Sequence, residues 1–306
     1  MHAAKETLAK HIVKNKYLYL MLIPGLVYFG IFHYGPMYGI LMAFKNFSVY
    51  QGIWGSPWVG WQHFETLLNN RDFHRIFRNS ALLGVYKLIF TFPMPIILAL
   101  LLNEIRLHWF RRSVQTVVYM PHFLSWVIVG VLVIEFLSPT RGILNEILHA
   151  LFGTEPILFL SKKEYFRPIL ILSNIWKETG WGTIIYLAAI AGVDQHLYEA
   201  AKVDGANRFR CIWHVTLPCI MTTILIVFII QIGYIIRNSF EQVFVLYNPL
   251  VYEVGDVFET YIYRVGLNDA RFDYATAVGI FQSVIGLVLL VFANTLANRF
   301  GERGIY

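Results

Sequence analysis

EAAKVDGANRFRCIWHVTLP, residues Glu199 to Pro218, lies between two apolar runs and decides how the rest of the chain is read. Its first third predicts a short helix, with Leu197, Tyr198 and Ala201 on one side and Glu199, Lys202 and the capping residue Asp204 around them. Gly205 ends that helix, because a residue without Cβ takes the positive φ that turns the chain. A second helix is expected from Asn207 to Val215, with Phe209, Ile212, Trp213 and Thr216 at helical spacing and Arg208 and Arg210 among them. Pro218 then closes the loop and opens the next run. The product is a basic, amphipathic two-helix elbow held against a membrane by its flanking spans. An ordinary interfacial elbow without a partner is the plainer reading of the same residues.

Composition places the chain in a bilayer. Of its 306 residues 57% are hydrophobic and 14% charged, and the mean hydropathy is +0.55, values outside the range of soluble domains. A hydrocarbon core about 30 Å thick takes about 20 apolar residues in helical form. Six runs satisfy this, at about 17–44, 79–102, 113–137, 168–191, 219–245 and 273–298, with the elbow at 194–218. The expected fold class is therefore all-α, a polytopic transmembrane helical bundle. Residues 1–16 form a basic leader with no small-residue cleavage site after the first run, so that run is expected to stay as an anchor. Lys and Arg are denser in the leader, the 103–112 loop, the elbow and the tail than in the other connections, which puts both termini in the cytoplasm. This topology accounts for the net charge of +6 without nucleic acid. Cys211 and Cys219 fall at the cytoplasmic elbow and are expected to be reduced.

Glu199, Ala200, Ala201, Asp204, Gly205, Ala206, Leu217 and Pro218, with Tyr198 before them, resemble the EAA loop of ABC-importer permeases, the inner-membrane components of binding-protein-dependent transport. Many sugar permeases carry Ile-Pro shortly before the Glu, where this chain has Val193-Asp194. The resemblance implies a six-span type I importer fold in the plasma membrane. It also implies a second homologous permease subunit, two cytoplasmic ATP-binding subunits that hold ATP and magnesium, and an extracellular solute-binding lipoprotein. No cofactor is expected on this chain itself. The elbow would be the coupling helix: Glu199 pairs with a basic group on the ATPase, Gly205 sets the bend, and Phe209, Ile212 and Trp213 fill the ATPase groove or pack beneath it. Leu22 to Gly25, Tyr34 to Met37, AFKNF at 43–47 and RRSVQTVVYMPHFLSW at 111–126 resemble Gram-positive sugar permeases of the branch that handles complex oligosaccharides.

Charged and amide side chains inside the runs are costly in lipid and mark a cavity or one another. Asn174, Lys177, Glu178 and Trp181 fall on one face of span four, and Gln231, Tyr234, Asn238, Glu241 and Gln242 on one face of span five, with Arg237 at its edge. Span three offers His122 and Trp126, and span two Lys87. Lys87, Lys177 and Asn238 lie roughly 10–14 Å below the expected outer ends of their spans, at about 1.5 Å per residue. A water-filled chamber lined by these groups is expected, with Lys177, Glu178, Trp181, Gln231 and Asn238 touching solute. The alternative is that Lys177 and Glu178 pair with Glu241 and Arg237 to hold helices together, the aromatics pack, and His122 is a packing histidine. Lys87, Lys177 and Arg237 outnumber Glu178 and Glu241, which hints at an anionic sugar. Glu253, Asp256 and Glu259 read as solvated loop charges or partner contacts.

No GxxxxGK[ST], HExxH, CxxC or GxSxG occurs, so no catalytic residue is assigned and the chain is not expected to be an enzyme on its own. An ion-coupled carrier could use Lys177, Glu178 and His122 but needs no elbow and usually carries internal repeats, which are not seen. A polytopic membrane enzyme would need a polar cluster at an interface.

Overall fold

The computed structural model describes residues 14–299, so all but the last residues of the 1–16 leader, and the tail from 300 onward, lie outside it. The major helices are α1 (Lys16–Phe44), α2 (Arg71–Glu104), α3 (His108–Phe123), α4 (Trp126–Phe136), α5 (Ile143–Phe152), α6 (Lys163–Ala191), α7 (Gln195–Val203), α8 (Arg208–Gly233), α9 (Phe240–Leu246), α10 (Phe258–Tyr263) and α11 (Phe272–Arg299). Among the described residues there is no strand ladder, only an isolated bridge between Lys45 and Trp58.

Four helices, α1, α2, α8 and α11, are both long and apolar enough to cross a bilayer. A fifth crossing results if α3 and α4 count as one span, although they meet at 101°. The break follows Pro121, after which Leu124 and Ser125 are extended and the Ser125 hydroxyl caps α4 by accepting from the Ile128 amide. α6 has the length of a span at 29 residues, but Asn174, Lys177 and Glu178 interrupt its apolar surface. The expected span of 219–245 is not one helix. α8 stops at Gly233, the chain turns through 234–239, and α9 begins only at Phe240. The five polar residues from Gln231 to Gln242 therefore do not share a helical face.

Prolines shape the long helices in one recurring way. Wide π turns at Gly30–Tyr34, Lys87–Thr91 and Ile212–Thr216 each end two residues before a proline, at Pro36, Pro93 and Pro218. A proline has no N–H for the carbonyl four residues back, and its ring collides with that carbonyl. In each case the residue just before the proline donates instead to the carbonyl five back, as Phe92 does to Lys87 at 3.1 Å, so the wider turn absorbs the defect without ending the helix. Pro218 thus does not close the elbow as expected: the second elbow helix runs without interruption into the span as α8.

α6 is the centre of the bundle, packed against α2, α3 and α8, while α8 lies against α11 and α9 against α4. α1 stands apart, exposed along its length and tied in through Tyr38–Phe44 against α11. One core cluster (Ala99, Tyr186, Ile190, Val193, Ile220) lies beneath the elbow. Two others, around Phe73, Phe258 and Tyr274 and around Leu83, Phe166 and Val243, fill the opposite end.

That opposite end is tied together by a buried charge. Asp256 is fully buried; Arg264 donates to its two oxygens at 3.2 and 2.5 Å, Thr260 donates at 2.9 Å, and Arg75 approaches to 3.7 Å. Burial works against the Arg264 charge, yet the Asp256 carboxylate outweighs it and holds the guanidinium above its ordinary pKa. Asp256 is thus an internal tie, not the solvated loop charge read from sequence. Removing one member of a buried pair strands the other, at a cost of about 3–5 kcal/mol. Asp256→Ala should therefore lower the thermal unfolding midpoint of the detergent-purified protein by several degrees; an unmoved midpoint would show that this cluster carries no stability.

Candidate functional site

Two places in the bundle concentrate side chains that packing does not explain. The first is a cavity of about 410 Å³ where α2, α6 and the end of α8 converge. α2 contributes Gly84, Lys87, Thr91 and Phe92, α6 contributes Asn174, Glu178 and Trp181, and the end of α8 with the turn after it contributes Gln231, Tyr234, Arg237 and Asn238. Of the residues expected around the chamber, Lys87, Asn174, Glu178, Trp181, Gln231, Tyr234, Arg237 and Asn238 line this cavity. Lys177 and Glu241 do not. Glu241 is exposed at the start of α9, carried away by the chain break after Gly233.

Lys177 is buried, and its Nζ donates to the His122 carbonyl at 2.7 Å, lies 3.4 Å from Glu178 and sits over the Trp126 ring. It therefore binds α6 to the bend between α3 and α4, supplying a donor to a carbonyl near that bend. Glu178 faces the cavity paired with Lys177 and hydrogen-bonded to the His122 ring nitrogen Nδ1 at 2.9 Å. The expected pairing of Lys177 and Glu178 with Glu241 and Arg237 is thus replaced by pairing with each other and with His122. His122 also stacks flat on Trp181, with ring centroids 4.5 Å apart and planes at 3°. Phe123 meets Trp181 edge-on, which completes an aromatic wall.

The two cations of the cavity are differently placed. Lys87 Nζ donates to the neutral Gln242 Oε1 at 3.1 Å, and Gln242 is held by Leu170 and Ser173 of α6. Arg237 lies exposed on the turn after α8, with no carboxylate in ion-pair range among the described residues. Asn238 is buried, its Nδ2 donating to the Ser80 carbonyl. Gly84 lets this turn come close, since a Cβ there would stand 1.7 Å from the Ile235 carbonyl oxygen. Gly84, and the presentation of Arg237 on an irregular turn, carry no sequence signal: both follow from helix breaks that apolar periodicity does not register.

The second place is the elbow. Asp194 caps the start of α7 by accepting from the His196 amide, Asp204 stands at its C-cap, and Asn207 caps the start of α8 by accepting from the Arg210 amide. Gly205 has φ of +80°, and the Gly205 and Ala206 amides return to the Lys202 and Ala201 carbonyls at 3.0 and 2.9 Å, the hydrogen bonds of a Schellman close. Tyr198 bonds Thr216 at 3.0 Å and, with Leu217, packs on the core below. Ala201, Ala206 and Ile212 are half-buried, whereas Glu199, Ala200 and Pro218 face outward. Phe209 and Trp213 are 67% and 56% exposed, their rings 6.1 Å apart, an apolar pair left uncovered by the described residues. Glu199 pairs with His196 at 3.4 Å on the exposed surface.

Residues 78–303 match the family described as binding-protein-dependent transport system inner membrane component. The chain is similar to protein LplB of Bacillus subtilis (strain 168), 48% identical over 96% of this chain and 92% of the relative. It is equally similar, at 48%, to the polygalacturonan/rhamnogalacturonan transport system permease protein YteP of the same organism, over 99% of this chain and 94% of that one. Among solved structures, a chain of a bacterial ABC transporter involved in the import of the acidic polysaccharide alginate superposes with a TM-score of 0.88 at 47% identity, covering 96% of this chain and 99% of that one. A second alginate transporter structure, in complex with an alginate pentasaccharide-bound periplasmic protein, gives 0.89 at 46%, over 98% and 100%.

Lys177, buried in α6, and Gln231, lining the cavity from α8, separate structure from surface. Lys177→Met should destabilise the purified protein by about 1.5–3 kcal/mol, the worth of a hydrogen bond to a charged group, while Gln231→Ala should leave the thermal midpoint within error. Equal midpoints for both variants would show that Lys177 does not tie α6 to the bend.

Proposed function

Because the chain belongs to the family of binding-protein-dependent transport inner membrane components, we propose that it forms one half of the pore of an ATP-driven importer for acidic oligosaccharides. The observation that carries the solute class is the charge of the cavity. Glu178 is paired with Lys177 and hydrogen-bonded to His122, while among the described residues Lys87 donates to an amide and neither Lys87 nor Arg237 has a carboxylate in ion-pair range. At about 4 Å, an unscreened carboxylate would gain about 4 kcal/mol from such a cation at an effective dielectric of 20, before desolvation. Trp181, held by His122 stacked against it, supplies an aromatic lining suited to sugar rings, and 410 Å³ lies within the usual size of ligand pockets. The substrates named for the relatives, polygalacturonan/rhamnogalacturonan and alginate, support the same class.

In this reading α1, α2, the bent α3–α4 pair, α6, α8 and α11 are six crossings, with the elbow and both termini in the cytoplasm. A homologous permease completes the pore, an external binding protein delivers the solute, and two separate subunits bind ATP. ATP-driven closure of those subunits moves the elbow. Glu199 meets a basic group of the ATPase, and Phe209 and Trp213 enter its groove. Because Arg208 begins a helix that continues to Gly233, a push on the elbow is delivered along α8 to the turn that carries Arg237.

Two measurements on the complex reconstituted with its binding protein test this. ATP-dependent uptake of a galacturonate trisaccharide should exceed that of its neutral methyl ester by about tenfold or more, equivalent to about 1.4 kcal/mol; equal uptake removes the acidic solute class. Gly205→Val, which a β-branched side chain makes unfavourable at φ of +80°, should leave ATP hydrolysis running while uptake falls at least about tenfold. Tight coupling in that variant would discard the elbow as the transmitting element.

A further inference from the structure

The turn from Tyr234 to Ser239 closes on itself only in part, through the Ile235 amide to Ile232 at 3.1 Å and the Arg237 amide to Tyr234 at 2.8 Å, and the groups on either side of Arg237 are met by other elements. Two side chains from elsewhere in the chain meet them. Glu259 of α10 accepts the Asn238 backbone amide at 2.8 Å through Oε1. Gln282 of α11 donates to that same oxygen at 2.6 Å and to the Ile236 carbonyl at 3.3 Å. These bonds grip the residues on both sides of Arg237. Close packing completes the clamp: Gly84 abuts the Ile235 carbonyl on one flank, and Gly233 meets Leu290 and Gly286 of α11 on the other.

We propose that Glu259, held by Gln282, is a positioning residue for solute selection: it fixes the turn so that Arg237 presents its guanidinium to the carboxylates of an acidic oligosaccharide. This rests on the acidic-solute reading above and adds the device that makes Arg237 selective. Glu259 does not line the cavity; it lines the neighbouring groove between α10 and α11, which Arg237 also borders, and reaches the cavity through the turn that carries Arg237 and Asn238. Its second carboxylate oxygen is buried without a donor among the described residues. An amide in place of the carboxylate therefore keeps the one oxygen that the turn uses.

The test is uptake by the full reconstituted complex, with its binding protein, of the galacturonate trisaccharide and its methyl ester, giving a KM, a kcat and an acid-to-ester ratio for each variant. Arg237→Gln sets the ratio that remains when the guanidinium is gone. Glu259→Ala should bring the ratio down to that value, a loss of about tenfold, carried by KM for the acid with kcat changed less than about threefold. Glu259→Gln should keep the wild-type ratio within about twofold. Should Glu259→Ala fail to assemble, Gln282→Leu, which frees one side of the clamp, should lower the ratio at least about threefold. An Ala variant, or the Leu variant in its place, that slows acid and ester equally would overturn the positioning role. So would a Gln variant that behaves like Ala, because charge and not geometry would then be at work. A wild-type ratio near one fails the acidic-solute reading itself, whereas a high wild-type ratio lowered by Arg237→Gln but not by Glu259→Ala fails the positioning role alone.

Discussion

A backbone that leaves its helix inside an apolar bundle must find partners for its amides and carbonyls, and this requirement organises the protein around the turn after Gly233. The Asn238 amide goes to Glu259, the Ile236 carbonyl receives Gln282, and the Asn238 side chain reaches the Ser80 carbonyl. Those partners come from α10, α11 and α2, so closing the turn also fixes how these helices sit together. A continuous α8 would have needed none of them, and it would have carried its polar residues round a helical face instead of presenting Arg237 from a fixed bend.

The bend between α3 and α4 meets the same requirement by a different route. Lys177 donates to the His122 carbonyl, and the Ser125 hydroxyl caps the next helix. The turn after α8 borders the cavity and the α3–α4 bend packs on α6 beside it, where Lys177 can attend to the freed carbonyl. The prolines, by contrast, do not break their helices. Three wide turns absorb Pro36, Pro93 and Pro218, and the last keeps the elbow and α8 mechanically one piece. A rigid helix from Arg208 to Gly233 joins the surface that would meet an ATPase to the turn that would meet solute.

Much of this was legible in the residues. The elbow's two helices and its left-handed glycine follow from local spacing and from the absence of a Cβ, and the long apolar runs announce themselves by length. The polar residues inside the runs were recognisable as costly in lipid, and most of those named around the chamber do surround one space. Lys177 and Glu178 show where this stopped. Adjacent in sequence and chemically equal candidates, they part company because one points at a carbonyl exposed by the bend at Pro121 and the other at the cavity. Asp256 and Glu259, which look like loop charges, became internal ties for the same reason: burial depends on what packs over a residue, and spacing along the chain does not report it.

By itself, then, the sequence determined the helical class, the membrane setting, the elbow and the inventory of polar groups, because periodicity, hydropathy and glycine stereochemistry act over a few residues at a time. Only the tertiary structure decided where the helices break, which charges neutralise one another and which cation is left facing open space. Those outcomes depend on hydrogen bonds between residues as far apart as Asn79 and Asp256, or Lys87 and Gln242, and such bonds exist only once the helices have packed.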